Sequence, residues 1–323
     1  MPLLNKLKKH NSIEFSKKTV GDLKYDLKKN KFLLLMVLPG IIFFLIFAYL
    51  PMIGIVIAFQ KFSAVKGILG SDFIGLQNFR FFLGSKDFFR VTFNTLFLNA
   101  VFIIVNTSIS ILIAILLSEI NSKLFKKISQ SIVILPHFIS WTVIALLAEA
   151  LLSTDSGFIN NTLTSFGIEK IQFYRNASLW PWLLTAFNAW QGAGFGSIVY
   201  LAAITAIDQE IYEAAKIDGA SRFQSILKIT MPLLRPTVVL LLILATGKIF
   251  NGNFGMIYAL VGSNSLLYPT TDIIDTYVYR QLMELGDLGM SSAAALYQSV
   301  MGFLMVVIAN KIAKKLSPES AIY

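Results

Sequence analysis

The chain has 323 residues, 55% of them hydrophobic and only 14% charged, with a mean hydropathy of +0.68; a soluble domain carries roughly a quarter charged residues, so the lipid bilayer is the expected solvent. It has no cysteine and two histidines, His10 and His137, which excludes a disulfide framework, a thiolate metal site and a histidine-rich metal centre. The net charge of +10 is better explained by a membrane surface than by nucleic acid, because of where the lysines gather.

In chain order, residues 1–31 form a basic tail containing Lys6, Lys8, Lys9, Lys17, Lys18, Lys24, Lys28, Lys29 and Lys31, suited to anionic lipid. No cleavable signal peptide is expected, since the first apolar run follows this tail and lacks a small-residue cleavage site. A membrane span needs about 20 mainly apolar residues, and six stretches within 32–310 qualify: Phe32 to Phe59, Val91 to Leu117, Ser131 to Leu152, Leu179 to Ile204, Thr237 to Gly262 and Ser291 to Asn310. The third contains Pro136, the fourth opens on Trp180 and Trp182, and the fifth is interrupted by Lys248, Asn251 and Asn253. Polar loops of moderate length, near 60–90, 153–178 and 263–290, join the spans on one side. The other side collects both tails (the second being 311–323), Lys123, Lys126, Lys127, Lys216, Arg222, Lys228 and Arg235. By the positive-inside rule that side is cytoplasmic. The expected fold class is therefore an all-α transmembrane bundle of six spans with both termini in the cytoplasm.

The most informative segment is the polar loop 205–236 on the cytoplasmic side. It reads Glu213-Ala214-Ala215-Lys216-Ile217-Asp218-Gly219, closing with Ile229-Thr230-Met231-Pro232. Asp208 is placed to cap a helix beginning near Gln209, Gly219 permits a left-handed stop, and Pro232 is expected to fix the start of the next segment. The pattern resembles the EAA loop of type I ABC importer permeases, E-A-A-x3-G-x9-I-x-L-P, with Met231 in place of the usual Leu. Further likeness lies in Leu38-Pro39-Gly40, Tyr49-Leu50-Pro51-Met52, Gly75-Leu76-Gln77-Asn78-Phe79, Leu135-Pro136-His137-Phe138-Ile139-Ser140-Trp141, Ile198 to Ile204 and Asp275-Thr276-Tyr277-Val278-Tyr279-Arg280. These are similar to the carbohydrate and polysaccharide branch of the family (LplB-like, related to the maltose permeases).

The resemblance implies a loop that docks as a coupling helix into a groove on an ATP-binding subunit. Its contact residues would be Glu213, Ala214, Ala215, Asp218 and Gly219, with Ile229 and Pro232 anchoring the second helix. It implies as partners a second six-span permease, two ATP-binding subunits, an extracytoplasmic solute-binding protein and an oligosaccharide cargo, in the bacterial cytoplasmic (inner) membrane. This chain carries no P-loop: the only Gly-Lys pair, Gly247-Lys248, is followed by Ile249. ATP and Mg are thus expected on the partner subunits, with no cofactor or metal on this chain. The run Gln191-Gly192-Ala193-Gly194-Phe195-Gly196 has no strand before it and is expected to pack helices closely rather than bind a dinucleotide.

Polar side chains at mid-bilayer are costly unless they face water or protein. Asn188, Trp190 and Gln191 occur together on the fourth span, and an aromatic beside amides suits a sugar's C–H face and hydroxyl fringe. Likeness to the maltose permeases extends the expected pathway to Asn188, Trp190, Gln191, Gly192, Phe195, Lys248 and Asn251. An ammonium at mid-span is disfavoured by about 2.5–3.5 kcal/mol on insertion scales, so Lys248 either faces the cavity, where it suits an acidic, uronate-containing cargo, or pairs with the partner permease. The function expected is that of a non-enzymatic permease subunit of a binding-protein-dependent oligosaccharide importer. The competing readings are an ion-coupled secondary transporter acting alone, which calls for inverted repeats and a buried charge network, and a membrane enzyme, which calls for clustered His, Asp or Glu at one membrane face.

Overall fold

The computed structural model describes residues 29–316, so the lysines expected on the tail before residue 29, and residues 317–323, lie outside the described residues. The chain divides into two compact units, 1–56 and 57–323. In the first, helix α1 (Lys31–Phe44) carries Pro39 inside it and continues through a π turn, Leu45–Tyr49, into a 3-10 stretch, Leu50–Phe59. The change of winding sits just before Pro51, which has no N–H to donate and crowds the carbonyl a turn earlier. No described residue up to Val56 is buried. A helix that is apolar all round suits burial in lipid or against another protein.

The second unit begins with a short antiparallel pair, β1 (Gln60–Lys61) and β2 (Asp72–Phe73), with Gln60 opposite Phe73. Helices follow: α2 (Gln77–Gly84), α3 (Lys86–Ser118), α4 (Lys123–Ile134), α5 (Trp141–Leu152), α6 (Phe158–Ser165), α7 (Trp180–Thr205), α8 (Gln209–Ile217) and α9 (Arg222–Ser225). After them come α10 (Met231–Thr246), α11 (Phe254–Val261), α12 (Ile274–Met283) and α13 (Leu288–Leu316).

Four helices are long and apolar enough to cross a membrane unbroken: Lys31–Phe59, Lys86–Ser118, Arg222–Thr246 and Leu288–Ile312. Two bent pairs bring the number to six if each counts as one span: Lys123–Phe138 with Trp141–Leu152, bent by 96°, and Ala177–Thr205 with Gln209–Ile217, bent by 69°. The third expected span is therefore not one helix. α4 ends in a 3-10 turn, Leu135–Phe138, at Pro136, and Ser140 starts α5 afresh by accepting from the Val143 N–H at 3.4 Å. The fifth expected span, Thr237 to Gly262, is also corrected. Its helix begins at Arg222, passes a π turn at Ile226–Thr230 and stops at Thr246, and α11 is separate. Pro232 lies in the first turn of α10, directly after that π turn, where its missing N–H costs least.

α3 and α7 form the spine, running side by side in the same sense. Asn106 donates to Asn188, and further along Ser110 Oγ donates to the Ala193 carbonyl at 2.9 Å. Between apolar helices in lipid the driving forces are close packing and hydrogen bonds rather than the hydrophobic effect. The small residues of α7 serve that packing. A Cβ on Gly194 would overlap the Val133 carbonyl, and one on Gly196 would stand 2.7 Å from Ser110 Oγ. The Gln191–Gly196 run is thus a helix-packing surface, as expected.

One apolar core joins Leu98, Ile144, Ala148, Trp180, Leu184, Met256 and Ile273. A second joins Phe82, Val91, Phe250, Ile274 and Tyr277, and a third, toward α8, joins Ala114, Leu117, Tyr200, Ile204 and Leu234. The segment between α11 and α13 is fastened to α3 by charge. Asp272, its side chain fully buried, accepts from Arg280 (2.8 and 3.1 Å), Arg90 (3.0 Å) and Thr276 (2.9 Å).

Candidate coupling loop and translocation pathway

Local rules build the loop around α8. Asp208 accepts from the Glu210 N–H at 3.0 Å, capping the helix as its sequence position indicated, with Glu210 in the first turn and Lys216 in the last to complement the dipole. Gly219 has φ +80°. The Ala220 N–H returns to the Ala215 carbonyl at 2.9 Å and the Gly219 N–H to the Lys216 carbonyl at 3.1 Å, closing a Schellman turn. Ser221 and Gln224 then form a reciprocal capping box that starts α9. Tyr212 and Thr230 share a hydroxyl–hydroxyl bond of 2.9 Å, holding α8 against the root of α10.

Glu213, Ala214, Asp218 and Gly219 are exposed, while Ala215 and Ile229 are half-buried. Sequence reasoning missed two neighbours: Ile217 is 86% exposed and Phe223 69%. The loop therefore presents an apolar surface edged with charge, held rigid by caps at both ends.

On α7, positions 188, 191, 192 and 195 fall on one face at about 100° per residue. Gln191 donates to the His137 carbonyl at 3.3 Å, a group released by the bend after α4, and Phe195 stacks on the His137 ring at 4.2 Å. Gly192 faces the Asn106 side chain, which a Cβ there would meet at 3.7 Å. Trp190 departs from the expected grouping. It lies about 200° around the helix from Asn188, 47% exposed on the opposite face.

Lys248 and Asn251 also differ from expectation, since residues 247–253 form turns between α10 and α11 and the two do not share a helical face. Both are exposed, and Lys248 makes no ion pair among the described residues. An unwound segment at membrane depth needs partners for its freed backbone groups, and here side chains supply them. Asn99 donates to the Ile249 carbonyl (2.7 Å) and the Asn251 carbonyl (3.3 Å), and Gln298 donates to the Phe250 carbonyl (2.7 Å). Asp275 accepts from the Gly252 N–H (2.8 Å) and from Gln298 (3.0 Å).

A shaped polar loop on one end of the bundle and a side-chain-clamped break within it are features of a transport subunit. Residues 106–318 match the family described as binding-protein-dependent transport system inner membrane component. The chain belongs to that family. It is 40% identical to the polygalacturonan/rhamnogalacturonan transport system permease protein YteP of Bacillus subtilis over 309 residues, covering 96% of each chain. To protein LplB of the same organism it is 38% identical, covering 91% of this chain and 92% of LplB. Among solved structures it is similar to a chain of a bacterial ABC transporter involved in the import of the acidic polysaccharide alginate, with TM-score 0.83, 36% identity, and coverage of 91% of this chain and 99% of that one. A second structure of an alginate ABC transporter, in complex with an alginate pentasaccharide-bound periplasmic protein, matches at TM-score 0.82 and 35% identity.

In this inner-membrane permease the polar side chains of α3 form one stripe that sequence reasoning passed over. Thr95, Asn99, Asn106 and Ser110 recur at helical spacing. Thr95 Oγ1 accepts from the Ile274 N–H at 3.0 Å, Asn99 holds the break, Asn106 meets Asn188, and Ser110 meets Ala193. The signal available in the sequence was the amide pair at i and i+7 inside an otherwise apolar span.

Proposed function

We propose that this permease imports oligosaccharides, with acidic, uronate-containing chains as its cargo. It would work beside a second six-span permease, with ATP and Mg bound on two ATPase subunits and a solute-binding protein on the outer face. The observation that carries the reading is the similarity, along nearly the whole chain, to YteP and to the alginate importer permease, both named for acidic polysaccharides. In this reading both termini and α8 face the cytoplasm, and Glu213, Ala214, Ala215, Asp218 and Gly219 meet an ATPase groove, with Ile229 and Pro232 at the root of the loop. Asn188, Gln191, Gly192 and Phe195 on α7 line the pathway with the exposed Lys248 and Asn251 of the break, and Trp190 faces the partner permease.

The test is uptake by the complete transporter in proteoliposomes, with binding protein and ATP, comparing oligogalacturonides with neutral oligosaccharides of equal length. ATP-dependent uptake favouring the acidic series is expected. Preference for the neutral series would reject the acidic cargo, and uptake by this polypeptide alone without ATP would reject the importer reading in favour of a secondary transporter.

A further inference from the structure

At the end of the bundle remote from α8, a cavity of about 880 Å³ opens between α5 and α11. Its walls include Thr142, Glu149, Tyr174, Gly255 and Tyr258. Two observations make it a wet, built site. Glu149 is exposed and is the one charged residue of the helix Trp141–Leu152, and its carboxylate makes no ion pair or hydrogen bond among the described residues. A carboxylate on such a helix is tolerated where it meets water or a ligand, not lipid. The other acid of the cavity wall, Asp155, is already paired with Lys170 at 3.7 Å, so Glu149 is the unpaired charge.

The second observation is aromatic. Tyr258 is 39% exposed and is held from behind by two rings: Phe254, stacked at 5.1 Å and 18°, and Tyr279, edge-on at 4.8 Å. The two tyrosine hydroxyls approach to 3.4 Å. Beside this platform Gly255 leaves open backbone, since a Cβ there would meet nothing nearer than Trp141 at 3.6 Å.

We propose that this cavity is a sugar-receiving subsite, in which a pyranose lays its C–H face on Tyr258 while Glu149 accepts hydrogen bonds from two neighbouring hydroxyls. An ionised carboxylate is an acceptor only, with room for several donors, and a vicinal diol offers two donors at a spacing its two oxygens can meet. An aromatic ring gives apolar contact with defined geometry at little entropic loss. Charge repulsion at Glu149 turns the carboxylate of an acidic cargo away from this wall, so the subsite reads hydroxyl pattern and not charge. Tyr174 supports the same polarity: burial first, then the negative charge of Glu149, push its phenol above the usual range and keep it a donor.

The inference rests on the carbohydrate reading above, and the test separates the two. In the complete transporter, Tyr258→Leu is expected to raise the concentration of loaded binding protein needed for half-maximal uptake by about fivefold to tenfold, the effect of losing one well-made contact. Tyr258→Phe keeps the ring and should stay within about twofold, while Glu149→Gln, a weaker acceptor, should fall between them; ATP hydrolysed per sugar imported should not change. Wild-type uptake kinetics in both Tyr258→Leu and Glu149→Gln overturn the subsite alone. Equal losses for Tyr258→Leu and Tyr258→Phe overturn the stacking role. Should Tyr258→Leu fail to copurify with its partners, Glu149→Gln decides the matter, because its side chain is solvent-exposed. A wild-type complex that moves no oligosaccharide overturns the carbohydrate reading and the subsite with it.

Discussion

Replacing Gly219 separates the conformation of the coupling loop from its contacts. Its φ of +80° lies in the left-handed region, where a side chain costs about 1–2 kcal/mol per residue and a β-branched residue more. No heavy atom lies within 4 Å of a Cβ built there, so no clash or lost packing adds to that figure within this chain. About 1.4 kcal/mol is a tenfold change in the population of the native turn. Asn tolerates this region several-fold better than other residues, so the series Gly219→Asn, Gly219→Ala, Gly219→Val should lose sugar-stimulated ATPase activity in that order. The expected losses run from about twofold for Asn to more than tenfold for Val. Membrane insertion and the yield of purified chain should not change, because the turn is exposed and a Cβ there meets no neighbour. The assay is ATP hydrolysis and uptake measured together in proteoliposomes. Wild-type coupling in Gly219→Val would refute the reasoning outright. Equal damage from Asn and Val would show that the position acts by direct contact and not through its backbone.

Gly194→Ala should lower the thermal midpoint of the complex more than Gly196→Ala, since its Cβ meets the rigid Val133 backbone whereas Ser110 Oγ can rotate away; overpacking of this kind costs about 1–3 kcal/mol. Asp272→Asn should leave Arg280 and Arg90 without their shared carboxylate and destabilise by about 3 kcal/mol, read as a drop in midpoint that Asp72→Asn, at an exposed pair, does not reproduce. Burial raises the pKa of Asp275 above 3.8 despite hydrogen bonds from Gln298 and Gly252. Its contribution to stability is therefore full below 3.8 and lost as pH rises through the raised value, and Asp275→Asn should flatten that part of the stability–pH curve. Lys248→Gln should impair uptake of acidic oligosaccharides more than neutral ones; equal effects would mean the lysine is structural.

What could be read from sequence was what local rules determine. Asp208 and Gly219 adopt their cap and turn geometries from nearest-neighbour chemistry alone, and the apolar runs of α3 and α13 are long enough to announce themselves. Illegible were the places where hydropathy and helicity part company. Leu135 to Phe138 and Gly247 to Phe250 lie inside stretches whose average hydropathy passes as membrane span, yet both are where the helix gives way. A window that averages hydropathy does not detect a missing N–H at Pro136, nor the amides of Asn99 and Gln298 waiting on other helices. Trp190 and Asn188 are close in sequence, yet helical rotation sends them to opposite sides.

The break after α10 explains why two amides and a carboxylate converge on it from three different elements. Ile249, Phe250 and Asn251 offer carbonyls that an intact helix would have used internally, and Asn99 of α3 and Gln298 of α13 take them over, while Asp275 of α12 takes the Gly252 N–H. Each such bond is worth only about 0.5–1.5 kcal/mol net, but losing one without a substitute leaves a buried polar group that costs about 1–3 kcal/mol. The segment is thus held against all three elements at once. Thr95 extends the same linkage by accepting the Ile274 N–H at the first residue of α12. Asn99, four residues on, is one helical turn further along the same face. A displacement of α12 along α3 must therefore change the bonds to Thr95 and to the unwound segment together. That geometry connects the end of the bundle remote from the coupling loop to the stretch carrying Lys248 and Asn251 through four side chains and no long-range field.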